Sequence, residues 1–315
     1  MKVLKPGILS TIQDAGRFGH RSSGIGPGGV MDIFAFEMLN RLLGNERNEA
    51  VVEMHFPAAE FLFEENTVFA ITGGDFDATL NDVSVPCWKT VRVKAGDILR
   101  FAALRKGYRV YFSVKGGFNA DTWLGSCSTN LSVRKGGYWG RALMKEYILV
   151  LKNKEGYFNI REQEIPASLI ADIYDDPFIY CIEGPEYCQL TEESRKQLLS
   201  EVFTIDVHSN RIGYRLKQKK ISCFEAAGTM LSSAVSIGTI QVVPDGGLII
   251  LMADHQTTGG YPRVLSVVSS SLPKLAQCKP GDQICFKLIT PAEAEEKYIS
   301  LYQMLRDHSS DENTY

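Results

Sequence analysis

Residues 10–32, STIQDAGRFGHRSSGIGPGGVMD, decide between two kinds of fold. They contain a literal G-x-G-x-x-G at Gly24, Gly26 and Gly29. A dinucleotide-binding glycine loop must leave a buried strand and open directly into a helix. Here GRFGHRSS precedes the glycines, Pro27 stands among them, and the next helix signal comes only after Asp32. The motif is therefore rejected as a nucleotide fingerprint. What remains is Gln13, Asp14, Arg17, His20, Arg21 and Asp32 set among glycines, with almost no periodic apolar content. Such shaped, charged loops on a rigid scaffold tend to carry function. Glycine amides beside Arg17 and Arg21 could hold a phosphate or a carboxylate. A glycine-rich loop packed under a barrel, its arginines paired to Asp14 and Asp32, fits the same residues equally well.

Outward from this stretch, helix signals are few. Asp32 can cap a helix over 33–43, closed by Gly44. Thr191 can open a second over 192–199, and the capping box Thr290-Pro291-Ala292-Glu293 opens a third. The tail HSSDENTY is polar and expected to fray. Most of the remainder reads as short β-branched or aromatic strands punctuated by Gly, Asn, Asp or Pro, among them 68–72, 90–93, 98–101, 109–114, 147–151, 178–182, 239–243, 248–253, 264–268 and 283–288. Many short strands with close turns predict sandwiches or barrels. Residues 93–101, VKAGDILRF, parallel 278–286, CKPGDQICF: both are K-x-G-D-x-x-x-F, a turn feeding a strand. Two related β-domains would produce this repeat, although Gly-Asp turns before strands are also common. Residues 166–177 are the best linker candidate.

Composition bounds the function. At 315 residues, about two domains are expected. A net charge of −3 argues against nucleic-acid binding, which needs a basic stripe. No apolar run approaches the roughly 20 residues that span a bilayer, and MKVLKPGILST has no signal-peptide core. The expected location is the cytoplasm, with no membrane partner. Seven cysteines without a C-x-x-C, and scattered histidines, suggest neither disulfides nor a metal site. Most of the cysteines read as small buried hydrophobes.

Two further polar clusters stand out. In 253–262, ADHQTTGGYP, an apolar strand delivers Asp254, His255, Gln256, Thr257 and Thr258 onto a Gly-Gly turn ending at Tyr261. An acid, an imidazole, an amide and two hydroxyls in five residues can orient a polar ligand or place a base. The alternative is a polar turn whose threonines satisfy the backbone. In 209–215, SNRIGYR, Arg211 and Arg215 suit carboxylate or phosphate recognition, or a solvated basic face.

With TIQDAGRFG (11–19), GGVMDIFAFEMLNRLLGN (28–45), TGGDFDATLND (72–82), KAGDILRF (94–101), LGSCST (124–129), RIGYRL (211–216), TIQVVPDGG (239–247), DHQTTGGYP (254–262) and KPGDQICF (279–286) in this order, the chain resembles the biotin-dependent carboxyltransferase family, also called allophanate hydrolase subunit 2. The resemblance implies a mainly β fold of two cyclophilin-like β-barrel domains, 1–170 and 171–290, with a C-terminal helix and tail over 291–315. It implies a subunit of an ATP-dependent 5-oxoprolinase, with ATP and Mg shared among subunits. The expected partner is an allophanate hydrolase subunit 1-type protein, with a protein like the larger, A-type 5-oxoprolinase subunit as a further one. Other settings of the family imply a regulator that antagonises a histidine-kinase inhibitor, or a carboxyltransferase served by a separate biotin carrier. No A-M-K-M context occurs, so no covalently attached biotin is expected. Catalytic candidates are Asp254, Gln256, Thr257 and Thr258; substrate- or anion-binding candidates are Gln13, Asp14, Arg17, Asp32, Arg211 and Tyr261. The chain departs from the family pattern at Cys127, Asn130, Asn210, Ser233 and His255, several of which remove a charge. The loop 10–32 is expected to lie near 254–261.

Overall fold

Two turns with the same sequence show how the strands are organised. At Lys94–Asp97 the Lys94 N–H donates to Asp97 Oδ2 (2.7 Å), and the Asp97 N–H returns to the Lys94 carbonyl (3.1 Å). At Lys279–Asp282 the same two bonds measure 2.9 Å and 3.0 Å. Both turns also engage the end of a neighbouring strand alike. Gly96 N–H reaches the Phe63 carbonyl and Gly281 N–H the Ile205 carbonyl, each at 2.8 Å. Phe63 and Ile205 donate back to Asp97 and Asp282 at 2.9 Å. The K-x-G-D repeat is thus a repeat of structure.

The computed structural model describes residues 1–152, 162–217, 221 and 230–306. The polar tail beyond 306 and Cys223 lie outside the described residues. The chain divides into two units: Met1–Arg17 with Gly28–Ile170, and Phe18–Pro27 with Ala171–Tyr315. Ten residues of the opening loop therefore belong to the second unit.

The first unit has two five-stranded sheets. One runs, in spatial order, Lys2–Lys5, Glu60–Leu62, Ile98–Phe101, Ala78–Leu80, Val83–Ser84. The other runs Ser10–Gln13, Val51–His55, Lys106–Val114, Thr67–Asp75, Thr90–Val93. Their buried residues, including Val3, Phe61 and Leu99 from one and Ile12, Val52, Ile71 and Phe112 from the other, form one core. Phe61 stacks on Phe112 with ring centroids 4.9 Å apart, an aromatic pair that adds about 1 kcal/mol beyond area burial. Helix α1 (Ile33–Leu42) starts where Asp32 Oδ1 accepts the Ala35 N–H at 3.0 Å and buries Phe34, Phe36, Met38 and Leu39. It stops at Gly44, whose N–H bonds the Arg41 carbonyl.

The second unit is a closed seven-stranded barrel in the order Phe178–Glu183, Arg263–Val267, Thr239–Val242, Leu248–Leu251, Gly213–Lys217, Phe203–Ile205, Gln283–Leu288. Its pairs are antiparallel except the closing one, Phe178–Glu183 against Gln283–Leu288. The mainly β expectation holds, with few helices. Three expectations shift in detail. The linker candidate 166–177 contains helix α2 (Ala167–Tyr174), because Leu169 and Ile173 share one buried face. Residues 147–151 keep strand-like alternation, with Leu149 and Leu151 buried and Ile148 and Val150 exposed, but pair only through isolated bridges. Among the described cysteines, only Cys181 is fully buried, and Cys188 is exposed. Helices α3 (Glu192–Ser200), α4 (Leu272–Ala276) and α5 (Pro291–Arg306) complete the unit. Among the described residues, no helix is long and apolar enough to cross a membrane.

Candidate functional site

In the first unit, the buried strand Ser10–Gln13 delivers Asp14 into a cage. Asp14 is 2% exposed. Its Oδ1 accepts from Ser126 Oγ (2.6 Å), Ser128 Oγ (2.6 Å) and the Gly16 N–H (2.9 Å). Its Oδ2 accepts the Cys127 N–H at 2.6 Å. Short charge-assisted bonds of this kind are the strong ones, and they offset the cost of burying a carboxylate. Arg17, equally buried, donates to the Ser128 carbonyl and lies over the Trp123 ring at 4.9 Å. Gln13 Nε2 donates to Thr11 Oγ1 at 3.0 Å and to the Thr129 carbonyl at 3.4 Å. The segment LGSCST is thereby stitched to Gln13, Asp14 and Arg17 across more than a hundred residues of sequence. Ser126 and Ser128 lie in a stretch that carries the family resemblance, yet sequence reasoning did not pick them as site residues.

A second buried polar group surrounds Asp32. The Asp32 N–H donates to the Tyr111 hydroxyl (2.9 Å), which donates to Glu53 Oε2 (2.8 Å). The Met31 N–H reaches the same oxygen at 2.8 Å. Arg109 Nε stands 4.0 Å from Glu53 Oε1, and its guanidinium lies 4.6 Å from the Tyr108 ring centre. Burial, then the Glu53 and Asp32 carboxylates, push the Tyr111 hydroxyl well above its ordinary range, so it stays a neutral donor. Sequence reasoning missed Glu53, Arg109 and Tyr111. The available signal was charge inside apolar strands, VVEMH and YRVYF.

In the second unit, Arg211 and Asp254 form a two-point pair: Nε to Oδ2 at 2.8 Å and Nη2 to Oδ1 at 3.0 Å. The Asp254 N–H also donates to the Arg211 carbonyl at 2.8 Å, so backbone and side chain fix the same pairing. Asn210 Oδ1 accepts the Ile212 N–H at 2.8 Å. An asparagine there keeps the turn that an aspartate would make. Gln256, Thr258 and Tyr261 are solvent-facing and Thr257 is partly so. Thr258 pairs with Ala234, and the Val235 N–H reaches the Thr257 carbonyl at 3.2 Å. Beneath them, Gln241 Nε2 donates to the Tyr261 carbonyl at 3.2 Å. Arg263 binds Glu186 through Nε (2.9 Å) and Nη2 (2.7 Å), and its Nη1 holds the Ala234 carbonyl at 2.9 Å. The hydrogen-bonded pair with Arg263 holds the Glu186 carboxyl below its usual range. Glu186, Gln241 and Arg263 were also missed; their partners are remote in sequence.

The opening loop contributes here through 18–27. Arg21 donates to the Val235 carbonyl, and the Gly26 backbone lies against the His255 carbonyl. His255 itself is buried, its Nδ1 on the Gln256 carbonyl. Burial lowers its pKa, the Gln256 carbonyl opposes this, and the Arg21 charge lowers it further. The expected neighbourhood of loop and 254–261 segment is thus seen for 18–27. The second unit joins Arg211 to Asp254, and the first joins Asp14 to Arg17 through Ser128. Asp254 has both oxygens engaged by Arg211, which suits orientation of a ligand better than proton abstraction. Exposed amide and hydroxyl groups at Gln256, Thr257 and Thr258 can hydrogen-bond a small polar substrate. Among the described residues, no group of three or more His, Cys, Asp or Glu could hold a metal ion.

The carboxyltransferase domain family, subdomains A and B, matches residues 23–288. The chain is 36% identical over 285 residues to the C-type 5-oxoprolinase subunit of Haemophilus influenzae, covering 90% of each chain. It is 33% identical over 295 residues to the C-type 5-oxoprolinase subunit of Escherichia coli K12, covering 93% of each. Among solved structures, the urea amidolyase of K. lactis superposes with a TM-score of 0.90 at 29% identity. That match covers 97% of this chain but only 20% of the K. lactis chain.

Proposed function

The chain belongs to the carboxyltransferase domain family with subdomains A and B, and from that premise we propose that it is a subunit of an ATP-dependent 5-oxoprolinase. One observation carries this reading: the match to a C-type 5-oxoprolinase subunit covers 90% of each chain. The K. lactis urea amidolyase, by contrast, holds the similar region as one fifth of a longer chain.

The chemistry suits the residues. A lactam is a poor electrophile, and transfer of the ATP γ-phosphoryl group to its oxygen makes the carbon open to water. A first water adds and the ring C–N bond breaks, freeing the amine and leaving an acyl phosphate; a second water then displaces phosphate, yielding glutamate. That sequence needs cations for the phosphoryl charge and donors for the substrate carboxylate. Arg211, set by Asp254, serves anion contact in the second unit. Gln256, Thr257 and Thr258 orient the lactam or a water beside Tyr261. In the first unit, Arg17 serves anion contact, held in place by the Ser128 carbonyl and the Trp123 ring, with Asp14 fixing Ser128. ATP with its magnesium takes a site shared with partner subunits. The partners are an allophanate hydrolase subunit 1-type protein and a protein like the A-type 5-oxoprolinase subunit, in the cytoplasm.

The test is reconstitution. The chain alone is expected to hydrolyse no ATP; with both partners added, 5-oxoproline should trigger ATP hydrolysis and glutamate release. A reconstituted mixture that hydrolyses no ATP with 5-oxoproline sinks the reading. The 0.90 superposition on urea amidolyase favours one second reading, carboxyl transfer from a separate biotin carrier to a urea-like amide. Its signature is consumption of carboxybiotin carrier without ATP turnover by this chain's complex.

A further inference from the structure

Residues 131–150 of the first unit carry unusual surface. Leu131, Val133, Trp139, Met144, Ile148 and Val150 are all exposed, and Trp139 is 62% so. Trp139 also sits at φ 54°, a left-handed conformation that is an outlier for a bulky residue. A turn needed only for chain reversal would take glycine there. Instead the residue is fixed in place: its backbone N–H is held by Asp121 Oδ2 at 3.1 Å. The Trp139 ring lies 5.0 Å from Tyr138 and 5.8 Å from Tyr147, and those two tyrosines are 4.5 Å apart. The result is a braced aromatic cluster facing solvent. Beside it lies a cleft of about 300 Å³ lined by Trp139, Ile148, Val150, Cys127 and Lys152, among others. Cys127 is the residue whose N–H holds Asp14, so the cleft backs onto the Asp14 cage.

The charge around this cluster is mostly basic, the nearby acids being Asp121, bonded to the Trp139 N–H, and Glu146, paired with Lys2. Arg134, Lys135, Arg141 and Lys145 are exposed, and no acidic residue occurs from 131 to 145, in a chain whose net charge is −3. Aromatic and arginine side chains are the usual anchors of protein interfaces. We propose that this face is the docking surface for the subunit 1-type partner, which meets it with an apolar pocket for the Trp139 ring rimmed by carboxylates. The inference rests on the heteromeric reading above. A second copy of this chain is the poorer occupant, because a two-fold contact would set the four cations against themselves.

Binding of the purified subunit 1-type protein, measured by calorimetry at low and high salt, tests it. Trp139→Ala should weaken binding by roughly thirtyfold. The triple variant R134E/K135E/R141E should weaken it most at low salt and flatten the salt dependence. Val207→Ala, at an exposed apolar position of the second unit, should bind as the unaltered chain does. Trp139→Gly, which suits the left-handed backbone, guards against misfolding: it should melt like the unaltered chain yet bind as weakly as Trp139→Ala. If the unaltered chain binds and all these variants bind equally well, the docking surface is overturned while the heteromeric reading stands. No binding by the unaltered chain overturns both. Concentration-dependent self-association, or uptake by phosphatidylserine vesicles, that is lost in Trp139→Ala while partner affinity is unchanged also overturns it.

Discussion

Asp14 concentrates the energetics of the first unit in one side chain. Two hydroxyls and two backbone amides converge on its carboxylate, and if it were removed all but the Ser128 hydroxyl, which also reaches the Asp14 carbonyl, would be left without an acceptor. Stranding several buried donors costs more than the loss of their bonds alone. Asp14→Ala is therefore expected to lower unfolding free energy by about 3 kcal/mol, and Ser128→Ala by about 1 to 2 kcal/mol. Chemical denaturation of the two variants checks this, and equal effects would contradict the cage. Asp14 was legible in the sequence, as a charge among glycines. Its holders were not: Ser126 and Ser128 are common residues in an irregular segment, and only the fold brings them within 2.6 Å. Glu53, Arg109 and Tyr111 were hidden for a different reason. Apolar alternation marks a strand, whereas a buried charge within it declares itself only through a partner such as the one 58 residues away.

The turn that precedes a strand is the element most faithfully written in the sequence. K-x-G-D occurs twice, and each copy closes with the same side-chain and backbone bonds. Gly96 and Gly281 adopt φ of 97° and 91°, and a Cβ at either would meet nothing within 4 Å. The cost of alanine there is purely conformational. Gly96→Ala and Gly281→Ala should each destabilise by about 1 kcal/mol, and by matching amounts. Thermal melts of the two variants provide the measurement; a several-fold difference would argue that the turns are not equivalent. Caps were legible for the same local reason, since Asp32, Thr191 and Thr290 act on amides three residues ahead. Helix α2 was not. Proline at 166 and the acidic run after it suggested a linker, while the burial of Leu169 and Ile173 is decided by tertiary packing.

For the molecule as a whole, His255 ties stability to pH. It is buried, and its folded pKa lies below the ordinary 6.5. Above pH 6.5 the imidazole is neutral in both states, so its contribution is fully present. As pH falls below that value the unfolded chain takes up the proton first, and stability declines until the folded pKa is passed. Denaturation midpoints between pH 7.5 and about 5 should therefore fall for the unaltered chain and fall less for His255→Gln. Identical slopes would assign the decline to other groups. The same histidine touches the segment 18–27, which leaves the first unit's sequence to join the second unit. That excursion has a consequence for how such a gene could be divided. A break at residue 170 looks clean on a sequence map, yet the downstream product would lack ten residues that belong to its own unit. Arg21, the side chain that fastens Val235, would be among them. Two open reading frames made by such a break would encode one intact unit with a superfluous strap and one incomplete unit. The two halves are thus bound into a single inherited piece by ten residues near its beginning.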